Sequence, residues 1–259
     1  MRPAPSSADP QRAGRFRYPN RVTRTAKPRA LRPGDNLRLV SPASPITPEK
    51  IQRFAAMIEE AGYGLTLGNN VFATDSYLAG ADLERAQDLE EAFADDQVHA
   101  VMCARGGYGC ARLMPHLDLD AMAASGKMFL GFSDITTLHI ALNRRGLATV
   151  HAPMAISFSV DREPWVYQSF LNTLKGEDPI IEGHPKGITL VPGKAEGLLT
   201  GGCLCLLTDS LSTPIRLTAR ARSSSSKTLM RIHTGSMQCS PISCSPIRFK
   251  MRQGLSSAK

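Results

Sequence analysis

Between residues 36 and 151, short apolar runs alternate with helical patterns, and nearly every run ends in a turn of small residues. Strands buried on both faces and separated by helices satisfy their backbones as a parallel sheet flanked by helices, so the alternation predicts an α/β fold. Residues 36–41 (Asn-Leu-Arg-Leu-Val-Ser) alternate as a strand and enter a Pro-Ala-Ser-Pro loop at 42–45. Thr47 is placed as the cap of a helix with Pro48 in its first position; Ile51, Phe54, Ile58 and Ala61 form its apolar stripe and Gly62 ends it. A second amphipathic helix is predicted over 81–94, with Leu83, Ala86, Leu89 and Phe93 on one face and a mostly acidic, solvated opposite face. Residues 98–104 read as a buried strand, residues 128–131 as another and 148–151 as a short last one. Helices follow the first two, one from about Cys110 and one carrying Ile135, Leu138, Ala141 and Leu142.

In parallel sheets ligands sit beyond the carboxyl ends of the strands, and two turns there are candidates for chemistry. The run Met-Phe-Leu-Gly-Phe-Ser-Asp-Ile-Thr-Thr at 128–137 puts Ser133 on a sharp strand-to-helix turn with the helix beginning at Asp134. Such a turn lifts a hydroxyl clear of the sheet and leaves the following backbone N–H groups able to stabilise an oxyanion; a serine there can equally be an N-cap. Arg105-Gly106-Gly107-Tyr108-Gly109 is either a tight turn or a cradle of N–H groups for an anionic centre, and it lacks the Lys-Ser/Thr ending of a phosphate-binding loop. His139 and His151 read as packed or hydrogen-bonded core histidines.

Net charge is +8, but its distribution is uneven. Residues 1–33 hold nine Lys/Arg and one acid, residues 215–259 hold nine Lys/Arg and no acid, and the body between them is acidic. The basic balance therefore belongs to the two ends and is no argument for a nucleic-acid partner. No apolar run reaches 18 residues, so no membrane span is expected, and the leader lacks the apolar centre of a secretory signal. Residues 1–30 are read as a disordered basic extension or upstream sequence translated from too early a start, with an Arg-rich transit peptide as the alternative. The cysteines have neither zinc spacing nor a disulfide-scaffold context, so no metal, no cofactor and a cytoplasmic setting are expected. Cys203 and Cys205 are expected to alternate along a strand and point together into packing.

The motifs occur in a particular order: Leu31-Arg-Pro-Gly-Asp35, Ser41-Pro-Ala-Ser-Pro45, Ala104-Arg-Gly-Gly-Tyr-Gly109, Gly131-Phe-Ser-Asp-Ile-Thr136, His151-Ala-Pro-Met154 and Gly201-Gly202. In that order and spacing the chain, from about 30 to 214, resembles the LD-carboxypeptidases of serine peptidase family S66, which include muramoyltetrapeptide carboxypeptidases and microcin C self-immunity proteins. The resemblance implies a Ser-His-Glu peptidase that removes a terminal D-amino acid, D-Ala in the murein tetrapeptides of peptidoglycan recycling. It makes Ser133 the nucleophile and the N–H groups of Gly107 and Asp134 the oxyanion donors. Arg105 and Gly106 become substrate-binding residues, although Arg105 could instead pair with an acid of its own domain. The implied partner is a small muropeptide, without nucleic acid or membrane, and a homodimer is compatible with it. The alternatives are a self-immunity hydrolase acting on a peptidyl nucleotide and a non-catalytic muropeptide-binding remnant.

The implied domains are a nucleophile-bearing α/β domain at 31–160, a linker with one helix at 161–187, and the truncated start of a second, β-containing C-terminal domain at 188–214. In the family the triad Glu and His come from that second domain. Here the segment after Pro214 has ten serines in 45 residues, no acid and no apolar periodicity, so the chain as given is expected to be inactive. A shifted reading frame explains this. Combining the third base of each codon with the first two of the next turns TCN-type codons at 223–226 into triplets for Phe, Leu, Ile or Val. The step from Ser226 to Lys227 then permits Glu, and that from Lys227 to Thr228 permits Asp or Asn only. Residues 215–259 are accordingly read as an out-of-frame or disordered basic tail, and His233 within it is not nominated as a base.

Overall fold

The computed structural model describes residues 25–183, 185–186, 188, 200–213 and 215. The expectations for residues 1–24, for a strand at 189–191 and for the tail from 216 onwards lie outside the described residues. The described part is an α/β fold with one parallel sheet in the order β2-β1-β3-β4-β5. The strands are β1 (Asn36–Val40), β2 (Gly64–Leu67), β3 (Ala100–Cys103), β4 (Met128–Gly131) and β5 (Val150–His151). β1 lies parallel to both β2 and β3, and the parallel pairing continues through β4 to β5. Every residue of β3 and β4 is buried, as the unbroken apolar runs require of strands covered on both faces.

Helix α1 (Gln52–Glu60) packs with the 155–158 turn and α6 (Pro164–Lys175), where Phe54, Phe158 and Phe170 meet at centroid distances of 5.1 to 6.1 Å. Helices α2 (Asp82–Ala94), α3 (Cys110–Leu113), α4 (Leu119–Ala124) and α5 (Thr136–Asn143) contact one another in a separate layer. There Phe129 of β4 lies 5.7 Å from Phe93 and 5.3 Å from His139.

Three expectations change. Thr47 is extended and its side chain makes no capping bond; Pro48 opens a 3₁₀ turn (Pro48–Ile51) that leads into α1. Leu83 is not on the buried face of α2 but 66% exposed. The face instead buries Arg85 and Asp88 beside Ala86, Leu89 and Phe93. Cys203 and Cys205 are not on a strand. Cys203 holds the N-cap position of α7 (Leu204–Ser210) without a side-chain capping bond, and its Sγ lies 3.2 Å from that of exposed Cys205, so the two thiols do point together but at the surface rather than into packing. The described residues of 188–214 thus hold a helix and no strand.

Candidate active site

The strand registers align Val40 with Cys103 and Gly131 with His151, so the loops that follow β1, β3, β4 and β5 leave the sheet along one edge. Between β1 and β3 the winding of the sheet reverses, and the crevice at such a switch point is where α/β sheets hold ligands. Ser133 lies at this edge with φ +61°, in the left-handed region that a non-glycine residue seldom occupies. The strain belongs to the turn. Phe132 is still extended, and Ser133 opens a 3₁₀ turn (Ser133–Ile135) that continues as α5. Gly131 is needed because a Cβ there would stand 2.8 Å from Ile135 Cγ2. The predicted helix start at Asp134 is therefore a tighter turn that begins one residue earlier.

The glycine turn meets this elbow directly. A methyl group on Gly106 would stand 3.0 Å from Ser133 Cβ and 3.3 Å from its Oγ, so the backbone of Gly106 forms one wall beside the hydroxyl. Gly107 has φ +122°, and a Cβ there would collide with Ser44 Oγ. Ser44 also donates its backbone N–H to the Gly106 carbonyl at 3.3 Å. These contacts join the β1 and β3 loops across the switch point. Met154 closes the other side, its Cε 3.3 Å from the place a Gly106 Cβ would take. Ser44 and Met154 were within the motifs read from the sequence, but nothing in their residue type marked them as walls of the site.

Asp134 is buried, and its Oδ2 accepts the Cys110 N–H at 2.9 Å. The elbow is thereby tied to the start of α3, just beyond the glycine turn. Burial, with the Asp134 carboxylate second, pushes the Cys103 and Cys110 thiols well above their ordinary range. Both are therefore packed, unreactive thiols rather than nucleophiles. Arg105 pairs with no acid among the described residues; its Nη1 donates to the Pro45 carbonyl at 3.1 Å. The buried His139 has its Nε2 engaged with the Gly131 carbonyl, to which it donates at 2.9 Å. Burial holds its pKa down at about 4, so it is neutral at pH 7. His151, exposed at the end of β5, has its ring 6.0 Å from Phe132.

Sequence reasoning missed Arg85, which is fully buried. Its guanidinium donates to the carbonyls of Pro42, Gly80 and Gly109 and pairs with Asp82. One cation thus fixes the loop after β1 and the end of the glycine turn. Only its position between the Gly80 turn and an apolar face could have signalled this. Gly202 packs on Thr136, and the Cys203 N–H donates to Thr136 Oγ1 at 3.0 Å, which brings the Gly201-Gly202 segment onto the first turn of α5. Among the described residues no group of three or more His, Cys, Asp or Glu is placed to hold a metal, and no helix is long and apolar enough to cross a membrane.

A strained serine at a strand-to-helix elbow, faced by a positive-φ glycine turn, is the kind of geometry found in α/β serine hydrolases. Residues 37–152 match the LD-carboxypeptidase N-terminal domain of family Peptidase_S66. A probable murein peptide carboxypeptidase of Bacillus subtilis is 40% identical over 201 residues, 76% of this chain and 63% of that protein. Among solved structures, a muramoyltetrapeptide carboxypeptidase of Oxalobacter formigenes aligns with TM-score 0.60 and 27% identity over 70% of this chain and 61% of that one. MccF in complex with glutamyl sulfamoyl guanosine aligns with TM-score 0.67 and 25% identity over 80% and 70%. The chain belongs to the S66 LD-carboxypeptidase family through this N-terminal domain. It spans about three fifths of the length of the curated relatives it matches.

Proposed function

We propose that Ser133 is the nucleophile of an LD-carboxypeptidase that releases a terminal D-Ala from murein tetrapeptides. The observation that carries the reading is the strained Ser133 backbone with the Gly106-Gly107 turn packed against it. In this reading Ser133 Oγ attacks the carbonyl before the D-residue. The oxyanion of the tetrahedral intermediate is held by the N–H groups of Gly107 and Asp134, and collapse expels the amine of D-Ala. The acyl-enzyme is then hydrolysed by water. Arg105 takes the terminal carboxylate, and its bond to Pro45 fixes the stem of its guanidinium beside the crevice. The murein relatives support the choice of substrate, and the preference for a cytoplasmic recycling role follows from it.

The segments divide in this reading into the nucleophile domain at 31–160, a connection at 161–187 and the start of a second domain at 188–214. The His and Glu that serve Ser133 belong to that second domain, and residues 215–259 are its out-of-frame remainder. Without the base, turnover falls by a factor on the order of 10⁴ to 10⁶.

DNA sequenced from codon 200 through the segment beyond codon 259 tests the frame, and D-Ala release from a murein tetrapeptide tests the activity. Restoration of Glu-Asp and a later His by one base, with a protein from that frame that releases D-Ala and loses release on Ser133→Ala, is the expected result. Turnover unchanged by Ser133→Ala overturns the assignment of the nucleophile. Tetrapeptide binding without turnover in the restored protein favours a muropeptide binder.

A further inference from the structure

At the edge of the same crevice two tyrosines stand in solvent without a structural reason to do so. Tyr77 and Tyr108 are 55% and 56% exposed, and their rings lie 5.8 Å apart at an interplanar angle of 58°. Their backbones, by contrast, are held rigidly. Tyr77 lies in a turn closed by reciprocal bonds between Asp75 and Leu78 at 2.8 and 2.9 Å, with Ser76 at φ +56°. The turn is docked on the loop after β1 through the Ala79 N–H to the Ala43 carbonyl at 2.9 Å, and the buried Leu78 side chain packs against Gly109. Tyr108 lies between Gly107 and Gly109 in the glycine turn itself. Rigid, exposed aromatic rings on a fixed base are the usual contact surface for a ligand that has one apolar face.

Two observations select the ligand. Arg112 faces both phenols, but the Asp82 carboxylate binds its Nε at 2.9 and 3.0 Å and its Nη2 at 2.8 Å. Asp82 is shared with Arg85, but the Nε and Nη2 donors of Arg112 are both taken up by it, which favours a ligand that needs no charged partner over a nucleoside phosphate. The rings are tilted, so they form an open shelf rather than a parallel slot for a planar base. A pyranose suits such a shelf, since its C–H face stacks on an aromatic ring while its hydroxyls stay in water.

We propose that Tyr77 and Tyr108 form a sugar-binding platform on the acyl side of the Ser133 crevice, which takes the pyranose that carries the peptide stem. The placement rests on the proposed function. With Arg105 on the terminal carboxylate, Tyr108 at the opposite end of the Gly106-Gly107 turn faces the acyl side. Three extended residues span about 10 Å. Tyr108 begins one Cα step, about 3.8 Å, beyond Gly107 and extends outward, so the far end of the stem comes within its reach.

The test is calorimetric binding of a murein tetrapeptide with and without its muramoyl sugar, together with saturation-transfer NMR of the methyl glycoside of N-acetylmuramic acid. Proteins are the full chain and its Tyr77→Leu/Tyr108→Leu and Tyr77→Phe/Tyr108→Phe variants. The sugar is expected to tighten tetrapeptide binding by about five- to tenfold in the parent and the Phe variant. The gain disappears in the Leu variant, with the affinity for the bare tetrapeptide unchanged. Equal affinities for the two stems in the parent, or a gain that survives in the Leu variant, overturns the platform while leaving the proposed function standing. A glycoside signal that the Leu variant loses, with no tetrapeptide binding by any variant, supports the platform and overturns the proposed function. Absence of both signals overturns both.

Discussion

At the scale of single residues, the site is built on one unfavourable torsion. Ser133 keeps φ +61° because β4 ends at Gly131 and the 3₁₀ turn that leads into α5 begins only two residues later, and the surrounding packing holds the turn in place. A non-glycine residue in the left-handed region costs on the order of 1 to 3 kcal/mol. Ser133→Gly relieves that cost, whereas Ser133→Ala keeps it. After the entropy that a glycine adds to the unfolded chain is offset, the Gly variant is expected to be more stable than the Ala variant by about 1 kcal/mol. Urea unfolding of the two proteins measures this. An Ala variant at least as stable as the Gly variant would show that the elbow stores no strain. Ser133 was legible in the sequence because the strand, the small residue and the turn fall in succession. The partner of Arg105 was not, since a carbonyl of a loop 60 positions away leaves no trace in residue type.

At the scale of elements, the strands that the sequence disclosed are those buried on both faces. β3 and β4 are unbroken apolar runs, while β2 went unseen because Gly-Leu-Thr-Leu is a four-residue edge strand with exposed ends and neither clear alternation nor full burial. Helix α2 was located with Ala86, Leu89 and Phe93 on its buried face, but Leu83 was wrongly added to that face and Arg85 and Asp88 were left off it. A charged residue on a helix reads as solvent-facing, and only tertiary contacts reveal that Arg85 is sealed under three loops. Those contacts make α2 the anchor of the loops around the crevice. Arg85→Met leaves three buried carbonyls without their donor and Asp82 with Arg112 alone, and is expected to cost about 3 to 5 kcal/mol. Lysine cannot reproduce a planar fork, so Arg85→Lys should recover less than half of that loss. Guanidinium unfolding of the three proteins gives the values. A loss below about 1 kcal/mol in the Met variant would mean that the loops hold their places without the cation.

At the scale of the whole molecule, His139 links the sheet to pH. It stands on α5, stacks edge-on to Phe129 of β4, and donates Nε2–H to a Gly131 carbonyl that also receives the Ala152 N–H from beyond β5. That carbonyl therefore joins the end of β4 to the next loop, and Nδ1 is buried with no hydrogen-bond partner among the described residues. Burial lowers the folded pKa to about 4 from 6.5, so between those values the unfolded chain binds the proton and the folded one does not. Stability accordingly falls as pH drops from about 6.5 towards 4 and the loss levels off below that, worth about 3 kcal/mol in all from this group. Asp88 acts in the opposite sense, since burial raises its pKa and makes its carboxylate less favourable as pH rises. His139→Gln separates the two, because the amide retains a donor for Gly131 and does not titrate. Its urea midpoint is expected to change less than that of the parent between pH 7 and pH 5, with the difference growing as pH falls. Parallel pH profiles for the two proteins would show that protonation of His139 is accommodated in the fold, and the acid sensitivity of the sheet would then lie with the carboxylates alone.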